Sequence, residues 1–206
     1  MLKLIQEHLE AIYRIPGAPD IRSFLVSDDE VSQVLGPDRR RAEEWVLVRE
    51  VEDGVDIGVY IDAAHLEDLE TAATPARALD ESFRAFCVAT EGVSHFLLLV
   101  DRARRAEPVT MLELEAQAEV DKYVSARLHC PTRAREWRAR LFKGASLAPD
   151  LSTEERERYR EAGRMAAGFC ETLDDLPTVD ALLAEVRAFW REPAAKRLAV
   201  MRRLAA

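Results

Sequence analysis

The chain has no cysteine pair that reads as a metal or redox motif. Cys87, Cys130 and Cys170 stand far apart, form no CxxC and cannot all be bridged within one chain. A reduced, cytoplasmic setting is the simplest expectation. Unbroken apolar runs are also short. Even FLLLV stops at Asp101, far below the roughly 18 residues of a membrane span. The opening MLKLIQEHLEAIYRIPG is interrupted by Lys3, Glu7 and Glu10, so it lacks the core of a secretory signal. Basic charge is scarce as well: 29 Lys and Arg face 38 Asp and Glu, for a net charge of −9. The deficit lies in residues 1–100, with 9 basic against 20 acidic residues, while residues 101–206 carry 20 against 18. General attraction to phosphate is not expected of such a chain, nor is a membrane partner. No G-x-G-x-x-G, P-loop or G-x-S-x-G is present, and no cofactor is expected.

What is present points to a mostly helical α+β fold of 206 residues, long enough for a substantial core. Leu2, Ile5, Leu9 and Ile12 line one side of a short N-terminal helix that Pro16-Gly17 ends. Ser27-Asp28-Asp29-Glu30 is a possible helix start and Gly36-Pro37 a stop. Two β-branched runs, 45–51 and 55–61, flank Asp53-Gly54, a favoured hairpin turn. From there the pattern predicts helices over about 63–72, 78–105, 110–129, 133–143, 153–173 and 179–205, the last kinked or split at Pro193. The expected organisation is a core over 1–143, with N-terminal helix and hairpin, and a C-terminal helical extension over 144–206. GASLAPDLS, residues 144–152, forms the boundary.

The candidate site lies in FCVATEGVSHFLLLV, residues 86–100. Apolar residues fall nearly all round this helix, so it should be buried on several sides. At about 100° per residue, Glu91 and His95 share a stripe with Arg84 and Arg102, and Thr90 and Ser94 share the next one. A buried carboxylate beside an imidazole costs several kcal/mol unless paired, ligated or neutralised. On the following helix, Leu112, Ala116, Val120 and Tyr123 make an apolar face with Glu119 among them. Glu113 and Asp121 are expected to point outward, with Glu115 on a flank. Antiparallel packing of the two helices would bring Glu91 and Glu119 together.

The order of hairpin, buried helix, short link and helix with an inward Glu resembles the ImmA/IrrE-type zinc metallopeptidases, over roughly residues 40–131. Thr90-Glu91-Gly92-Val93-Ser94 falls where that family has His-Glu-x-x-His, and EVDKYVSARLHCP, from Glu119 to Pro131, resembles its following motif with one extra residue. The resemblance implies a zincin-like fold, Glu91 as catalytic general base, Glu119 as third ligand, and Thr90 and Ser94 at the two histidine positions. Neutral hydroxyls are poor zinc ligands, and His95 is rotated about 100° from position 94. The expectation is a pseudoenzyme with no zinc, acting through a protein partner or in regulation. The alternative is a hydrolase with an atypical metal or acid/base site built from Glu91, His95 and Glu119.

Plainer readings stand beside these. Glu91 and His95 also suit an i,i+4 pair tying the central helix to Arg84, Arg102 or the hairpin. Cys87 and Cys130 read as core residues, His8 and His65 as surface or cap residues. The basic runs at 133–143 and 196–203 suit solvated helix faces or docking on acidic surface, and lack the aromatic array of a nucleic-acid binder. The stripe Val186, Phe189, Trp190, Leu198 and Met201 must be covered, by the chain itself or in a homodimer through the C-terminal helices.

Overall fold

A computed structural model of the chain describes residues 1–52, 54–144 and 147–205. Among them are ten α-helices and one two-stranded antiparallel sheet, a mostly helical α+β fold. The chain forms two compact units, residues 1–7 with 17–108 and residues 8–16 with 109–206. Asp53 of the expected turn and two residues of the expected 144–152 boundary, 145 and 146, lie outside the described residues.

In the first unit, α1 (Leu2–Tyr13) contributes its opening residues. Buried Gln6 organises the loop that follows: its amide donates to the Pro19 carbonyl at 2.8 Å and accepts from Ile21 N at 2.9 Å. A 3-10 turn over Ile21–Phe24 comes next, and α2 (Asp28–Leu35) begins with the capping box of Ser27 and Glu30. Gly36 ends it at φ +91°, a conformation only glycine adopts readily. Strands β1 (Glu44–Val51) and β2 (Gly54–Ile61) pair in the register Glu44↔Ile61 and Trp45↔Tyr60. Burial falls along the hairpin. Val59, Tyr60 and Ile61 are buried at its base, whereas Val48, Val51 and Val55 are exposed at the far end. Val26 N donates to Val59 O at 2.9 Å, adding one bridge to the outer edge of β2.

Helices α3 (Ala63–Thr71), α4 (Pro75–Glu81) and α5 (Phe83–Arg104) complete this unit. The helix expected over 78–105 is two helices. Thr74 caps a short one that starts with Pro75, and Ser82, at φ −135° and ψ 50°, leaves helical conformation before α5 begins. Both strands pack on α5, as do α3 and α4. The crossing point is Gly92, where an added Cβ would stand 3.3 Å from Ile61 Cδ1 and 3.4 Å from Glu44 Cγ. Helix α5 is long and apolar enough to cross a membrane by length and composition alone, yet 78% of its most apolar stretch is buried within the protein, as in a core helix.

The second unit holds the rest of α1 with α6 (Met111–His129), α7 (Ala134–Phe142), α8 (Thr153–Asp174), α9 (Val179–Arg191) and α10 (Ala194–Leu204). Ser152 and Glu155 form the capping box of α8, and Pro193 separates α9 from α10 as expected. Helices on both sides of residues 144–152 pack together: α6 and α7 each pack on α8. Helix α10 lies so close to α8 that a Cβ on Gly168 would meet the Leu204 carbonyl oxygen at 2.4 Å. Val186, Phe189, Trp190 and Met201 of the C-terminal apolar stripe are buried, with a Phe169–Phe189 stack at 4.2 Å and a Tyr13–Trp190 stack at 4.3 Å inside this unit, while Leu198 is half-buried.

Candidate functional site

Helix α5 brings Thr90, Glu91, Gly92, Ser94 and His95 to the base of the hairpin. Thr90 and Ser94 are fully buried, and among the described residues the Thr90 hydroxyl has no hydrogen-bond partner. His95 is buried, its Nδ1 standing 3.2 Å from Glu44 Oε1 on β1. This is the tie from helix to hairpin that the plainer reading anticipates. Glu91 is half-buried one turn earlier, its carboxylate within 4.8 Å of a His95 ring nitrogen. Gly92 eases this approach, because an added Cβ would stand 3.4 Å from Glu44 Cγ, at the tight edge of ordinary contact.

Glu43, next to Glu44, binds a second group. Arg84 Nε donates to it at 2.6 Å and His65 Nε2 lies 2.8 Å away. Burial pushes the Glu43 carboxyl upward, but the hydrogen bonds from Arg84 and His65 outweigh it and hold the group below its ordinary range. Arg84 therefore serves Glu43 first, and Arg102 pairs with Glu107 at 2.5 Å. His65 is neither a surface residue nor a cap, since its ring is enclosed and engaged by Glu43. Glu43 and Glu44 escape detection from sequence because they precede the apolar alternation of the strand. A pair of acids directly before Trp45, at the buried end of a hairpin, is the signal that identifies them.

The acids of α6 belong to the second unit and are bound there. Glu119 is half-buried and takes Lys122 of its own helix at 2.7 Å, so its apolar flanks do not leave it unanswered. Glu113 and Asp121, expected to face solvent, are buried. The helix is enclosed on that side too, and charged partners fill the space. Arg197 of α10 reaches Glu113 and donates to Gln117 Oε1 at 2.7 Å. Gln117 donates to Asp121 at 2.8 Å and to Tyr13 Oη at 3.1 Å, and Tyr13 in turn donates to Asp121. Burial, then the Asp121 charge, raises the Tyr13 pKa well above its ordinary value, so the phenol remains a donor. Buried Glu115 has Arg158 Nε at 3.9 Å.

Other expectations change at closer range. Arg197 is buried rather than part of a solvated basic face. Arg133 and Arg140 stack on Trp137, at 4.3 and 5.7 Å, and Arg138 binds Asp174 at 2.8 Å. Cys87 and Cys130 are half-buried, and only Cys170 of the three is fully enclosed. His8 stacks on His129 at 4.4 Å. Burial, reinforced by the His129 charge, lowers the His8 pKa to about 4, so it is neutral near neutrality.

The donors at positions 90 and 94 do not fit the zinc that the resemblance implies. Two hydroxyls on a buried helix face supply neither the imidazole basicity nor the open coordination position that zinc hydrolysis requires. No family model, curated protein or solved structure matches the chain.

Proposed function

We propose that the chain is a non-catalytic relative of the ImmA/IrrE-type metallopeptidases that acts by binding another protein. The supporting observation is the state of α5. The two positions where the resemblance places histidines carry enclosed hydroxyls, and the one imidazole on that helix is held by Glu44 of the hairpin. Binding is the function such a scaffold retains. Most of the C-terminal stripe is buried within its own unit, so the proposal places partner contacts on the exposed apolar residues of the first unit: Val34 and Leu35 of α2, with Val34 67% exposed, and Val48, Val51 and Val55 of the hairpin.

Two measurements test this reading. Hydrolysis of unstructured peptides in the presence of Zn²⁺ is expected to be indistinguishable between the wild-type protein and Glu91→Gln; turnover abolished by Glu91→Gln overturns it. Affinity capture from the native cell is expected to recover a stoichiometric partner that Val34→Asp and Val55→Asp lose. Equal recovery by these variants overturns the placement.

A further inference from the structure

The arrangement around His95 is organised beyond what a helix-to-strand tie needs. A carboxylate on one ring nitrogen selects the tautomer. With Nδ1–H donating to Glu44 at 3.2 Å, Nε2 is the basic nitrogen of the ring. Glu91, four residues earlier on the same helix face, holds its carboxylate within 4.8 Å of the imidazole. A zinc ion sits about 2.0–2.2 Å from nitrogen and carboxylate ligands. A small rotation of the half-exposed Glu91 side chain therefore suffices to place both on one ion. Glu43, Glu44 and Glu91 cluster at the hairpin base, where Arg84 binds Glu43 and also feels the Glu91 charge.

We propose that Glu91 and His95 bind a divalent transition-metal cation, with Glu44 as a positioning residue that orients the imidazole from behind. An imidazole with a carboxylate favours a cation of intermediate softness, such as zinc, cobalt or nickel. The ligand positions are not those that the family resemblance implies: His95 is rotated about 100° from Ser94, and neither Thr90 nor Ser94 takes part. The proposal concerns binding alone and does not rest on the non-catalytic reading. A protein that binds metal without hydrolysing peptides satisfies both, and each fails by its own measurement.

The test is titration of the purified full chain with Co²⁺ and Zn²⁺, followed by visible absorption and calorimetry. Saturable one-to-one binding is expected, lost in His95→Gln and in Glu91→Gln and unchanged in Ser94→Ala. Glu44→Gln, which retains an acceptor but not the charge, is expected to weaken binding about 10- to 100-fold, the range for an outer partner of a metal-bound histidine. Circular dichroism of each variant separates lost ligands from lost fold, and Glu91→Gln, at a half-exposed position, serves should His95→Gln not fold. Absence of saturable binding, binding that survives His95→Gln in a folded protein, or a thiolate-to-cobalt absorption band each overturns the proposal.

Discussion

Helices α5 and α6 are each the central helix of their unit, and they are built on opposite terms. Helix α5 buries mostly apolar and small side chains along its middle, with Thr90, Ser94 and His95 there and the charged pair Asp101 and Arg102 only at its C-terminal end. Helix α6 buries Glu113, Glu115, Gln117, Asp121, Lys122 and Ser125. Apolar content is therefore no measure of how central a helix is. What α6 requires is partners, and it draws them from sequence-distant segments: Arg197 from α10 and Tyr13 from α1. Such a buried charge network adds little net stability over an apolar core, because desolvation offsets much of the attraction, yet removing one partner from it is costly.

The comparison breaks most readily at Arg197. Replacing it with Met leaves Glu113 enclosed without its cation, and a loss of about 3–5 kcal/mol is expected by urea denaturation. Adding Glu113→Leu should recover much of that loss, since two apolar side chains replace the pair. A result in which Arg197→Met costs nothing would show that α6 does not depend on its ionic partners. Tyr13→Phe removes the phenol shared by Asp121 and Gln117, for an expected loss of about 1–3 kcal/mol in the same assay.

Acidification sharpens the comparison at the second unit. The folded-state pKa of His8 lies at about 4, below the ordinary 6.5, so the unfolded chain binds the proton more readily. The stability tied to neutral His8 is complete above pH 6.5 and is lost as pH falls from 6.5 toward 4. The urea midpoint should decline over that window, and His8→Phe should make the decline shallower, with His129 accounting for the remainder. Glu43→Gln is the mildest change. Its carboxylate is partly exposed, so a loss of less than about 1 kcal/mol is expected. That loss should vanish in acid, where the wild-type group protonates.

The elements that could be read in the sequence are those specified locally. Ser27 with Glu30 and Ser152 with Glu155 close their capping boxes within four residues, and the hairpin arms follow from alternation and turn chemistry. The break at Ser82 could not be read, because apolar spacing continues across it and only the backbone departs from the helix. At the site, the Glu91–His95 stripe follows from helical periodicity alone. Glu44 stands 51 residues from His95, and no period connects a strand residue to a helix residue. The wheel of α6 placed Glu113 and Asp121 outward for the same reason: their partners stand 84 and 108 residues away.

Gln6 is a position where the isosteric acid would not serve. Its amide acts as a single rung of sheet, donating to Pro19 O and accepting from Ile21 N. Glutamine is the side chain that offers both functions at that reach. A Gln6→Glu change would leave the acceptor intact and turn the donor into an oxygen facing the Pro19 carbonyl. The same atoms would then repel where they had joined, and the loop from Gly17 to Phe24 would lose its anchor on the helix.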